Sequence, residues 1–236
     1  MHDRVAIQTD HTRKQATPLL RILIALPVLA VAAGLAYIVL SFSPVAPGLS
    51  GQVTDQLAHS GVSNPVTAVL LNFRGYDTLL ETVVLLLALL GVWALGGTEL
   101  RDEVTPGPVL DSLSRLLLPM LILVAAYLLW VGAHAPGGAF QAGSVLAAAG
   151  VLLLLTGWRL HVNLAALPLR MILVAGPGAF VLMAVLTLLI EGHLLQYPAE
   201  HAGLLILILE TAATFSIGFT LTGLFLGGIP RDRDIE

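Results

Sequence analysis

The sequence contains no cysteine. That absence removes thiolate chemistry, iron–sulfur ligation by cysteine and disulfide bonds, and leaves the redox compartment open. Charge is scarce too. Only 11 % of residues are Asp, Glu, Lys or Arg, against about 25 % in a soluble domain. The formal net charge of −4 is spread along the chain, and no basic patch suggests a nucleic-acid partner. What is present is apolar: 57 % of the residues are hydrophobic and the mean hydropathy is +0.91. Such a chain is expected to be an all-α polytopic membrane protein in a lipid bilayer, with little soluble mass.

A spanning helix needs roughly 20 apolar residues. Six stretches qualify, at approximately 19–41, 76–96, 112–132, 138–158, 170–190 and 203–227. The first reads as a span, not a cleaved signal peptide. Its apolar run is long, and "SFSPVAPGLS" after it offers no small-residue cleavage site. Before the second span, "PVTAVLLNF" fits a short helix over 64–73 that lies against the membrane or dips into it.

Basic residues orient these spans. Arg4, Arg13, Lys14 and Arg21 precede or open the first. Arg101, Arg115, Arg159 and Arg170 flank the two later connections on the same side, and Arg231 and Arg233 lie in the tail. Ten of the 11 basic residues therefore share one side, and only Arg74 falls on the other. The positive-inside rule then predicts cytoplasmic N- and C-termini.

Arg74 belongs to "LNFRGYDTLLE", which runs into an uninterrupted apolar stretch. On a helix at about 100° per residue, Asp77 lies about 60° and Glu81 about 20° from Arg74. The three then share one face, with two neighbouring carboxylates that repel and an arginine that relieves them. An ionised Glu81 costs several kcal/mol in hydrocarbon unless paired or hydrated, so proton exchange there is one reading. The plainer reading has Arg74 snorkelling to the interface and Asp77 capping a helix N-terminus.

The last span, "LLILILETAATFSIGFTLTGLFLGG", holds a second acid, Glu210, about 10 Å into the helix. Thr214, Gly218 and Thr222 follow at four-residue steps. This is either an ion-path stripe or a packing face where small residues let helices approach. Between spans three and four, "HAPGGAFQAGSVLAAAG" breaks at His134, Pro136, Gly137 and Gly138, and Gly143, Gly150 and Gly157 recur every seven residues. A short hairpin loop and a loop entering the membrane beside an ion path both fit. A nucleotide loop does not, because no strand precedes it. Pro177 in "GPG" predicts a kink in span five and a freed carbonyl. His193, His201 and Glu191 border the last outer connection. No cofactor and no metal site is expected.

These motifs resemble a known family. Residues 64–95 are similar to the segment that ends the large A subunit of Mrp-type cation/proton antiporters, a segment that stands as a separate small chain, the E subunit, in membrane-bound hydrogenases. The shared pattern F-R-G-[FY]-D-T-x-x-E is matched from Phe73 to Glu81. The remainder resembles the MnhB family of Mrp antiporter subunits, with its H-x-A-P-G-G-G-F-Q-x-G pattern at His134, Pro136, Gly137, Gly138, Phe140, Gln141 and Gly143. Ala139 replaces the third glycine, and Ala133 precedes the histidine where the family often has Gly-His-Asn. A two-helix module over 1–100 followed by a four-helix module over 101–236 is expected.

The resemblance implies an accessory subunit of a hetero-oligomeric, complex-I-related assembly in a prokaryotic inner membrane, moving H+ and Na+. It also implies no catalysis by this chain, and Arg74, Asp77, Glu81 and Glu210 on or beside the ion route. No lysine lies within a span, so transport by this chain alone is not expected. A membrane component of a redox-driven complex and a purely structural scaffold are the alternatives.

Overall fold

The computed structural model describes residues 18–41, 48–95, 107–157, 167–198 and 200–227. Arg4, Arg13, Lys14, Arg101, Arg159, Arg231 and Arg233, and the side chain of Arg21, lie outside the described residues. Every described element is helical, and the chain divides into two compact units, Met1–Gly48 and Leu49–Glu236.

The first unit contains α1, Pro18–Ser41, with Pro27 inside it. Its described side chains are all exposed and almost all apolar. A helix apolar all round buries itself in lipid or against other helices.

The second unit opens with a short helix, α2 (Ser50–Gln56), and a 3₁₀ turn, Leu57–His59. Next comes α3, Pro65–Thr67, which continues as a π-helix over Ala68–Phe73. Five long helices follow: α4 (Gly75–Ala94), α5 (Pro108–Val131), α6 (Ala139–Leu155), α7 (Leu167–Glu191) and α8 (Ala202–Gly227). Their bounds fall within four residues of the expected spans, and the short helix before α4 is present. Helices α4, α5, α7 and α8 have 20 to 26 residues and are long and apolar enough to cross a bilayer. The apolar part of α1, Ala25–Ser41, and α6 are shorter.

Helix α6 has 17 residues, about 25 Å. Glycines bound it at both ends. Gly138 precedes it with φ +103°, and Gly157 follows it with φ +71°, in the left-handed region that favours glycine. The expected seven-residue stripe is therefore corrected. Gly143 and Gly150 face α8, but Gly157 lies past the helix end and terminates it. A Cβ on Gly143 would sit 2.8 Å from Ile217, and one on Gly150 would sit 2.5 Å from Thr222. Close backbone approach is what these positions supply.

Helix α8 is the centre of the bundle, packed on α4, α5, α6 and α7. It runs parallel to α4. Leu79 joins the cluster of Ala202, Ile206 and Leu209, Leu85 joins that of Ala213 and Ile217, and Leu89 lies over Gly223. In α7 the buried Pro177 has no N–H for the carbonyl of Leu173, four residues back. Ser216 of α8 donates to that carbonyl at 2.6 Å.

Candidate functional site

The sequence places Arg74 on the helix that carries Asp77 and Glu81. The structure corrects this. The π-helix closes at Arg74, whose N–H donates to the carbonyl of Val69 at 2.8 Å, and Arg74 has non-helical angles, φ −132° and ψ 36°. Helix α4 begins at Gly75. A π-turn is wider than an α-turn, so the chain cannot keep one helical register through Phe73. Arg74 nonetheless pairs with Asp77, which sits in the first turn of α4, where negative charge is favoured. The pair is open, with side chains 66 % and 44 % exposed.

Glu81 makes no ion pair among the described residues. It is exposed, and Leu80, Val84 and Leu87 on the same outward side are exposed too. The inward side of α4 presents Thr78, Thr82 and Leu89. Thus the acid of the second span points away from this chain's own bundle.

Glu210 points inward and is 2 % exposed. One carboxylate oxygen accepts a hydrogen bond from the backbone N–H of Ala139, the first residue of α6, while Oε2 has no partner. A Cβ on Gly138 would lie 2.8 Å from Oε1 of Glu210. So the carboxyl group of α8 occupies the N-terminal end of α6, and two motifs 72 residues apart meet. A helix N-terminus stabilises an adjacent anion by up to about 2 kcal/mol in buried geometry. Desolvating an unpaired carboxylate costs several kcal/mol, and the cost is the larger of the two. Since α4 and α8 are parallel and Glu81 lies between Leu79 and Leu85, the two acids stand at similar depth, Glu210 inside and Glu81 outside.

The His134 motif is a tight turn. Gly138 N–H donates to the carbonyl of Leu128 at 2.8 Å, which folds the turn back on the end of α5. A Cβ on Gly137 would meet that same carbonyl at 2.5 Å. Gly143 and Phe140 pack inward, whereas His134, Pro136 and Gln141 are exposed. Asn64 fastens the turn to the lead of α3. Its Nδ2 donates to the carbonyls of Gly132 at 3.2 Å and Ala135 at 2.8 Å, and its Oδ1 caps Val66. Thr67 donates to Gly132 as well. Thus the segment leading to Arg74 and the turn touching Glu210 are one hydrogen-bonded piece.

A crevice of about 300 Å³ opens beside Gly75 and Tyr76, bordered by His193 and Gln196 of the α7–α8 connection. That connection is braced by Leu195, buried with φ +56°, whose N–H donates to Thr187 Oγ1 at 2.8 Å. Tyr197 is also buried, its hydroxyl has no partner, and burial pushes the phenol up to about 12.

Asn64, Ser216 and the π-helix carry no signal in composition or spacing that would have singled them out. Arg74 with Asp77, and Glu210 with Gly138, come together. Glu81, His134 and Gln141 do not join a cluster within this chain.

Comparisons with known proteins agree with this division of the chain's features. Residues 19–101 match MbhE, the family described as the E subunit of the membrane-bound hydrogenase. An uncharacterized protein of Methanocaldococcus jannaschii is 31 % identical over 134 residues, 48 % of this chain and 50 % of that protein. The chain thus aligns with about half the length of that relative. A chain of the membrane-bound sulfane sulfur reductase, an archaeal respiratory membrane complex, matches with a TM-score of 0.67 at 26 % identity, over 89 % of this chain and 97 % of that one. A chain of the Mrp complex from Dietzia sp. matches in fold, with a TM-score of 0.65 at 23 % identity, over 94 % of this chain and 27 % of that one. Residues 109–226, half of the sequence, match the family described as a domain related to the MnhB subunit of Na+/H+ antiporters, and this multi-pass membrane protein belongs to that family.

Proposed function

We propose that the chain is an accessory subunit of a hetero-oligomeric Mrp-type assembly in a prokaryotic inner membrane, exchanging H+ for Na+. It performs no catalysis of its own. Its 1–100 and 101–236 modules pack against larger subunits, and Arg74, Asp77, Glu81 and Glu210 lie on or beside the ion route. The supporting observation is Glu81, an unpaired acid on an otherwise apolar outward face of α4. An ionised carboxylate facing lipid is costly, so such a residue faces a bundle interior or a hydrated path. Here that path is completed by another subunit. The test is purification of the native complex and reconstitution in vesicles. Sodium-driven proton movement that is lost when this chain is deleted supports the reading. A stable lone protein without hydrophobic partners overturns it.

A second reading has one specific observation in its favour. The match to the sulfane sulfur reductase complex covers 97 % of a separate chain there, whereas the Mrp match covers 27 % of a larger one. In that reading the same residues serve a redox-driven pump, and partners do the electron chemistry. Iron–sulfur subunits that co-purify with this chain select the second reading, and their absence selects the first.

A further inference from the structure

The geometry points to the buried Glu210–Ala139 junction as a proton-binding site, in which the Glu210 carboxyl group, held through one oxygen on the α6 N-terminus, carries one proton on Oε2. The inference builds on the reading of Glu210 as part of the ion route, and its test separates the two.

The surroundings of Glu210 contain no cation among the described residues. The buried residues of α4, α5, α6 and α7 include no ionisable side chain. The ionisable groups on those elements and in the adjoining turn stand at the surface. Tyr76 and Glu81 of α4, Arg115 and Tyr127 of α5, His134, and Arg170 and Glu191 of α7 are exposed, and Asp77 and Asp111 are half-buried. Tyr197, buried in the α7–α8 connection, is itself unpartnered. Among the described residues, no three His, Asp or Glu side chains cluster to hold a metal ion. A bare sodium ion at Glu210 would also need several further oxygens. A proton needs only one, and Oε2 is the carboxylate oxygen left without a partner. Binding forms one O–H bond with a proton delivered by water, and release reverses it. No other bond changes.

The neighbouring turn sets the site. Gly138 leaves room for Oε1, because a Cβ there would stand 2.8 Å from it. The α6 N–H groups hold the carboxyl group in place whether or not the proton is bound, so the site can cycle without moving a helix.

Infrared spectroscopy of the intact complex in lipid reads the proton directly. At neutral pH a protonated-carboxyl C=O band is expected, shifted by deuterium exchange and missing from Glu210→Gln. Gly138→Ala displaces the carbonyl oxygen from its N–H partner and is expected to raise the band's frequency. Identical carboxyl regions in wild type and Glu210→Gln overturn the proposal, as does a band that follows sodium concentration but not deuterium. If Glu210→Gln fails to assemble, Gly138→Ala decides: an unmoved band overturns the proposal. Vesicle assays distinguish the two readings. A band present in wild type, with full transport by Glu210→Gln, leaves the proton site standing and removes Glu210 from the ion route. The reverse pattern keeps the route and removes the site.

Discussion

Ser216 of α8 donates its hydroxyl hydrogen to the carbonyl of Leu173 in α7 at 2.6 Å, and Leu173 is the carbonyl that Pro177 leaves without an intrahelical donor. Both groups are buried. A buried carbonyl deprived of its partner costs about 1–3 kcal/mol, so Ser216→Ala is expected to destabilise the assembled protein by that order. In a Pro177→Ala background the carbonyl regains a backbone N–H, and the cost of Ser216→Ala is expected to shrink toward zero. A double-mutant cycle on thermal stability in detergent measures this. Equal costs in both backgrounds show that the serine does something else.

Hydropathy and proline chemistry go a long way in this chain. The six apolar stretches become helices within a few residues of their expected ends, because an apolar run of that length has few alternatives in lipid. Pro177 announces a freed carbonyl, but its donor lies 43 residues away, and no local pattern identifies it. The same distance problem hides the meeting of Glu210 with Gly138, although each stood out alone. Helix α4 is apolar on most sides, so its sequence does not say whether Glu81 faces in or out. The π-turn over Ala68–Phe73 has no sequence signature here, and it is what removes Arg74 from the helical register of Asp77. Gly157 looked like a packing residue because its spacing matched, whereas its φ of +71° makes it a helix stop.

Topology follows from the distribution of basic residues, ten of 11 on one side. The parent has no cysteine, so single cysteines report cleanly. Glu200→Cys, at an exposed position before α8, is expected to react with an impermeant thiol reagent from outside, and a cysteine at Glu236 only from inside. Ser60 is unsuitable as a reporter, since it is fully buried and hydrogen-bonded to the carbonyls of Leu57 and Val62. Outside labelling at position 236 defeats the six-span arrangement with cytoplasmic termini.

Tyr197 gives a pH dependence with a defined sign. Burial raises its phenol from 10.0 to about 12, so the folded state keeps a proton that the unfolded chain releases earlier. The associated stability is fully present below pH 10.0 and is lost as the pH rises through about 12. Tyr197→Phe is expected to flatten that alkaline loss. It sacrifices no hydrogen bond, because the hydroxyl has none, and removing an unsatisfied buried group is expected to leave neutral-pH stability unchanged or raised. Thermal denaturation of the purified complex across the alkaline range tests it. An unchanged alkaline slope in the variant assigns the loss to other groups.

Glu81 separates a transport role from a scaffold. It stands one turn after Asp77 on the outward side of α4, unpaired within the described residues and followed by no charge until Glu99. Gln has nearly the same volume and cannot titrate. If packing against a neighbouring subunit is all that the position requires, Glu81→Gln changes nothing. If proton exchange is required, assembly survives and cation-driven proton movement in everted vesicles falls by an order of magnitude or more. The Arg74–Asp77 pair sets the scale for comparison. Being about half exposed, it contributes at most about 1 kcal/mol as an ion pair. Asp77→Asn is therefore expected to have a smaller effect than Glu81→Gln. Arg74→Ala is expected to fall between them, since it strips the one cation near two acids spaced four residues apart. Subunit levels measured by blotting keep assembly and activity distinct. Full activity of Glu81→Gln at normal subunit levels removes the titrating role and leaves α4 as a docking helix.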